Sequence, residues 1–490
     1  MSLNSRILRS LVLLASLVAM AGCDQGKGGK VPLTTSSDKA RGHFLKGIDL
    51  ADRLRQQEAV LEFQAAVNED SQFALAYLTL ALASSSGKGF FDNLERAKSL
   101  ADRASEGERL MILAAEAGSS GDPVRQRHLL AKLVEEYPED ERAFDLLGNY
   151  FFGQQEYDSA LTVYIKATEL APQFSPPYNQ MGYCYRFQGK FAEAEQAFRK
   201  YMELIPDDPN PYDSYADLLC RMGRYQESIE SFEKALSVSP TFTGSYIGIA
   251  ANLNFLDRHA EARDVLRGFL NRSIDDGQRR AALLGIAVSY TDQGLLDSAL
   301  GQLGQMYALA EAADDATAMG SDLINMGFLL RYTDRPGAAA ESYDQALKII
   351  DASNLSKRIK ENVYLDGIQR SALVALAQGD TAAARARAED YLSRVEPLQN
   401  PFRLRAGHMA LGLTALARSD YATAITELQQ ADQQQAFVLF KLANTYEGSG
   451  NTEEAARLYD SVAGFNQFNS LSYALVRKPA IAKAAALNPR

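Results

Sequence analysis

The chain repeats itself every 34 residues. Pro172, Pro206 and Pro240 keep that step, and so do Tyr164, Phe198, Phe232 and Leu266. Ala160, Ala194, Ser228 and Ala262 form a third column, Gly148, Gly182, Ala216 and Ala250 a fourth, and Phe144, Tyr178, Tyr212 and Tyr246 a fifth. Columns in register over four copies restrict the fold strongly. A unit this short cannot bury its apolar face alone, so copies must stack and share one continuous core. Within a copy, large residues fall at positions 4, 11 and 24, small ones at 8 and 20, and proline at 32. Small residues at 8 and 20 let two antiparallel helices approach closely, and the large ones fill the space around that contact. Proline at 32 cannot continue a helix and marks the turn to the next copy. Gly189 and Gly223 fall at the turn within a copy, where a residue past a helix end often needs positive φ.

This pattern resembles the tetratricopeptide repeat (TPR), a helix–turn–helix of 34 residues. Tyr or Phe stands where that family most often has Trp, and this chain has no Trp. The resemblance implies an all-α fold, a right-handed superhelical solenoid of about twelve repeats from residue 39 to about 465. It is sharpest over 141–274. Upstream, Gly47, Ala59, Phe63 and Ala66 fit positions 8, 20, 24 and 27, followed by looser units around Ala81–Ala104 and Leu110–Pro138. Downstream, the small position 20 recurs at Ala299, Ala339, Ala384, Ala424 and Ala455, at steps of 40, 45, 40 and 31. Two arrays are therefore expected, 39–275 and 276–490. The second has longer helices or loops, and its amphipathic end, Asn466–Arg490, is expected to cap the stack.

The N-terminus reads as an address. Arg6 and Arg9 precede an eleven-residue apolar run at 11–21, too short to cross the ~30 Å of bilayer hydrocarbon. Ala21-Gly22-Cys23 resembles the bacterial lipobox, with Met20 where that motif prefers Leu. The resemblance implies a signal peptide at 1–22, a lipidated Cys23 and a flexible Gly/Ser-rich tether over 23–38. Ala19-Met20-Ala21 also fits ordinary signal cleavage. No later run reaches 18 uninterrupted apolar residues. The expectation is a bacterial envelope protein, periplasm-facing and held to a membrane by its N-terminus. Asp24 resembles an inner-membrane retention signal of enteric bacteria, a rule other lineages do not follow, so inner and outer membrane both stay open.

Chemistry is sparse. With 51 basic against 62 acidic residues the net charge is −11, which argues against nucleic acid as a partner. Phosphate-loop, dinucleotide, zinc-protease and nucleophile-elbow motifs are missing. His43, His128, His259 and His408 are scattered and read as surface or packing residues. The acidic pairs Glu135-Glu136, Asp207-Asp208 and Asp275-Asp276 read as helix caps. Cys184 and Cys220 read as buried free thiols. No catalytic residue, cofactor or metal site is expected, and the chain is not read as an enzyme.

The TPR resemblance implies that first helices line a concave groove through positions 2, 5, 9, 12 and 13. Those positions hold Asn149 and Phe152; Asn179, Tyr183, Arg186 and Phe187; Asp213, Asp217 and Arg221; and Asn254 and Phe255. Amides can bond a peptide backbone and aromatics supply pockets, a mix that suits an extended protein segment. The same residues also fit plain solvated helix faces. These positions avoid the packing columns, so replacing them is expected to leave folding nearly intact. The function expected is a non-catalytic protein–protein interaction scaffold. The alternative is a glycan- or nutrient-binding surface lipoprotein, against which the lack of Trp for stacking on sugars counts.

Overall fold

The computed structural model describes residues 29–487, and every regular element among them is a helix. The expected signal peptide and Cys23 lie outside the described residues. First and second helices alternate along the chain. They are α1 (Asp38–Asp52), α2 (Gln56–Glu69), α3 (Ala74–Ala83), α4 (Gly87–Leu100), α5 (Glu106–Ser119), α6 (Pro123–Glu136), α7 (Glu141–Gly153), α8 (Tyr157–Leu170), α9 (Pro176–Phe187), α10 (Phe191–Leu204), α11 (Pro209–Arg221) and α12 (Tyr225–Val238). There follow α13 (Thr243–Phe255), α14 (His259–Leu270), α15 (Asp276–Asp292), α16 (Leu296–Ala312), α17 (Ala316–Leu330), α18 (Pro336–Ala352), α19 (Lys357–Ala377), α20 (Thr381–Val395), α21 (Pro401–Ala417), α22 (Tyr421–Gln430), α23 (Ala436–Gly448), α24 (Thr452–Ala463) and α25 (Leu471–Leu487). That is twelve pairs and a last helix among the described residues, as the all-α repeat reading requires. No described helix is long and apolar enough to cross a membrane.

Local chemistry explains the pairs. Gly189 and Gly223 take φ of +74° and +77°, two residues past the ends of α9 and α11. Gln155 and Asp257 hold the same left-handed place after α7 and α13. The turn therefore demands that conformation whether or not glycine is there to supply it cheaply. Ala160, Ala194, Ser228 and Ala262 are completely buried. A Cβ on Gly182 would lie 2.6 Å from the ring of Phe198, so position 8 closes directly onto position 24. The Tyr212 hydroxyl donates to the Pro206 carbonyl (2.9 Å), and Tyr178 repeats that bond to Pro172 (3.2 Å). These two position-4 tyrosines thus tie their helices to the turns before them.

The chain forms two compact units. The described part of the first is 29–218 with 234–240, and that of the second is 219–233 with 241–487. The division falls within α11 and α12. First helices lengthen after the 275/276 boundary. First helices α9, α11 and α13 have 12, 13 and 13 residues, whereas α15, α17, α19 and α21 have 17, 15, 21 and 17.

Two terminal expectations need correction. Residues 30–37, read as part of a flexible tether, are strapped onto the first unit. The Val31 N–H donates to Asp140 Oδ2 (2.8 Å), the Thr34 N–H to Glu108 Oε1 (2.9 Å), and the Ser105 hydroxyl to the Pro32 carbonyl (2.9 Å). Val31 itself is buried. The strap's backbone groups make these bonds, and their partners are the capping side chains Ser105 and Glu108 of α5 and Asp140 of α7. The other correction concerns α25. It packs on α24 as a capping helix would, but it also lies against α15 and α23. It fills the second unit more than it ends it.

Candidate binding face

In the first unit, α7, α9 and the start of α11 carry eight of the expected groove residues. Asn149 is not a free amide. Its Oδ1 accepts from Tyr164 Oη and from Gln180 Nε2 (both 2.7 Å), and its Nδ2 donates to Asp145 (2.9 Å). It ties α7, α8 and α9 together from inside. Asn179 is buried too, and its Oδ1 has no hydrogen-bond partner among the described residues. Arg186 grips Asp217 with Nη2 at 3.0 and 2.8 Å from the two carboxylate oxygens. Tyr183 donates to Ser214 Oγ (3.3 Å) and meets Phe198 edge-on at 5.2 Å. Burial, with Asp217 and Asp213 nearby, pushes the Tyr183 hydroxyl far above its ordinary range, so it remains a donor.

These contacts revise the idea that groove residues stand apart from packing. Asn149, Tyr183, Arg186 and Asp217 hold neighbouring repeats together, and Asp213 sits half-buried on α11. What faces outward is aromatic. Phe187 stacks on Tyr157 with centroids 5.3 Å apart and planes 4° from parallel. Phe152 meets both rings edge-on, at 5.7 and 5.8 Å. The Arg186 guanidinium lies 4.7 Å above the Phe187 ring. All four side chains are half-buried, and together they form an aromatic ledge with a cation on its rim. Tyr157 was missed in the sequence because it opens a second helix, not a first one.

The remaining three residues belong to the second unit, and the chain's own C-terminal segment covers them. The Arg221 guanidinium lies 4.3 Å over Phe465. Phe255 contacts Tyr473, with centroids 6.0 Å apart, and Arg477 lies 5.6 Å over its ring. Asn254 accepts from the Ser289 hydroxyl (2.8 Å), and its backbone carbonyl accepts from Arg477 (3.1 Å). Arg477 is the hub, donating to Asp292 through Nε (2.7 Å) and Nη2 (2.6 Å). His259 Nε2 faces the same carboxylate at 2.7 Å. Burial works to raise the Asp292 carboxyl, but the hydrogen bonds from Arg477 and His259 outweigh it and hold the group below its ordinary range. Asp257, His259 and Asp292 cluster within 4.8 Å in the manner of metal ligands. Arg477 and Lys478 already bring positive charge to that cluster, Lys478 through Asp257 at 3.3 Å. Cys184 and Cys220 are both buried and outside any disulfide among the described residues, and burial pushes the Cys184 thiol well up, so Cys184 does not resemble a reactive cysteine.

Family models recognise part of the repeat register. A tetratricopeptide repeat family model matches residues 141–174, 175–208 and 211–242, and a second model of the same repeat matches 438–464. Those segments are tetratricopeptide repeats. No curated protein sequence matches the chain. Among solved structures it is similar to the Cut9-Hcn1 hetero-tetramer of the APC/C, at 14% identity and a TM-score of 0.42, over 87% of this chain and 77% of that one. It is also similar to a tetratricopeptide repeat protein from Parabacteroides merdae, at 14% identity and a TM-score of 0.36, over 53% of this chain and 97% of that one. A thermophilic TPR protein in Thermus thermophilus matches at 19% identity and a TM-score of 0.29, over 44% of this chain and 98% of that one.

Proposed function

We propose that this chain is a non-catalytic interaction scaffold, anchored by a lipid on Cys23 to a bacterial envelope membrane and facing the periplasm. Its first unit takes a segment of a partner protein. The aromatic ledge carries this reading. Phe152, Tyr157 and Phe187 stay half-buried beside Arg186, whereas the polar groove residues around them are spent on holding repeats together. Aromatic and arginine side chains dominate interface energies because they bury large area at low entropic cost and offer directed bonds. Tyr183 and Arg186 also bond to Ser214 and Asp217 of the next repeat, so substitutions there report on folding as well as binding.

The test compares wild type with Phe152→Ala and Phe187→Ala in cross-linking from intact membranes. Each substitution is expected to weaken a specific partner by ~1–2 kcal/mol, about ten- to thirtyfold in affinity. Unchanged capture by the double variant places the binding site elsewhere. For the anchor, Cys23→Ala is expected to release the protein from membranes or block its processing. A processed Cys23→Ala protein that stays on membranes would refute the lipid anchor.

A further inference from the structure

We propose that residues 464–487 are an intramolecular ligand of the second unit, displaced when a partner helix presents an aromatic residue and, four positions later, an arginine.

The segment makes the contacts that a bound helix would make. Leu471 enters a cluster with Leu283 and Ala287 of α15 and Leu329 of α17. Tyr473 and Arg477, one helical turn apart, share the Phe255 ring. The guanidinium fork takes both Asp292 oxygens and then the Asn254 carbonyl, a pattern that a lysine cannot reproduce. Ahead of the helix, Phe465 lies under Arg221, and Asn466 bonds to the Cys220 carbonyl (3.1 Å) and to Tyr225 Oη (2.9 Å). Every groove residue expected in this unit is thus engaged by one segment.

Three features make the segment removable. The connection into α25 carries Asn466 and Asn469 in the left-handed region, at φ of +48° and +45°. Pro479 lies inside α25 and brings no N–H to the Leu475 carbonyl, which weakens the helix on its own. The anchor is a buried ion pair, whose desolvation offsets much of its attraction. Once the segment leaves, Asp292, Asp257 and His259 remain as a negatively charged seat beside the Phe255 ring. Charge complementarity then selects an arginine-bearing helix.

Hydrogen exchange on the intact wild-type protein tests the proposal first. Amides of α25 are expected to exchange at least ~tenfold faster than those of α23 and α24, as a separately opening element should. Exchange of α25 only together with α13–α24 would overturn it. The second measurement adds a fluorescent peptide of residues 464–487 to the full chain. The expected result is at least ~tenfold tighter binding to Arg477→Ala than to wild type, because the variant's own helix competes less. A peptide with alanine at the positions of Tyr473 and Arg477 is expected to bind neither. Equal binding to variant and wild type, or no binding to either, would also overturn the proposal. Because the wild-type exchange result does not depend on the variant folding, the proposal stays testable if Arg477→Ala fails to fold. Neither result bears on the aromatic ledge of the first unit.

Discussion

The two units put the same repeat register to different use. In the first, position 13 of a repeat is Phe187, half-buried on an aromatic ledge beside the Arg186–Asp217 pair. In the second, position 13 is Arg221 and then Phe255, and both are covered by residues 465–477. Their buried charges differ as well. Burial raises Asp52 of the first unit to about 7 despite Arg142, and Asp208 to about 6. In the second unit burial raises Asp322 to about 6 despite Arg280, whereas Asp292 is held low. A repeat thus sets where a face lies, while distant residues decide whether that face is presented or filled.

The strongest way to break this comparison is to empty the second unit. Arg477→Ala leaves Asp292 buried without its guanidinium partner, and a pair broken that way costs ~3–5 kcal/mol. The loss is expected in α13–α25 and not in α1–α10, as exchange protection resolved along the chain would reveal. An equal loss in both units would mean that they do not behave separately.

Ala194→Trp probes the first unit. Ala194 is completely buried between α9 and α10, and overpacking there is expected to cost ~3 kcal/mol. Thermal unfolding measures it, and an unchanged melting curve would contradict the register. Acidification sharpens the contrast. A carboxyl raised in the folded state contributes stability that is fully present below its unfolded pKa and lost as pH rises through the folded value. Asp52 and Asp208 therefore favour pH 5 over pH 8 in the first unit, each on the order of 1–3 kcal/mol. Among the described residues of the second unit, Asp322 acts in that sense. The stability from Asp292 is present above its unfolded pKa and is lost only as pH falls through its lowered folded value. Urea titrations at pH 5 and 8, read by exchange in each unit, are expected to show the larger gain in the first. The smallest effect is reserved for Glu193→Ala and Gln196→Ala on the outer face of α10. Both are expected to stay within ~0.5 kcal/mol of wild type in stability and to leave partner capture unchanged.

What the sequence determined by itself lies within the reach of one repeat. Ala194 and Phe198 on one buried helix face, Gly182 closing on that ring, and Gly189 in the turn all act across fewer than 34 residues, so they recur with a period that can be read. The number of helix pairs follows from the same spacing. Tertiary structure alone decided the rest. Arg477 meets Asp292 across 185 residues and Val31 meets Asp140 across 109, and neither contact repeats. A single arginine in the apolar run of α25, or a polar stretch before α1, looks like a snorkelling side chain or a tether until its partner is in place. Packing also divided the expected groove. Asn149 and Arg186 sit at positions the repeat assigns to a ligand, yet the neighbouring helices offered Tyr164, Gln180 and Asp217 first. A buried polar group must be bonded somewhere, and only the folded chain shows which partner it reaches.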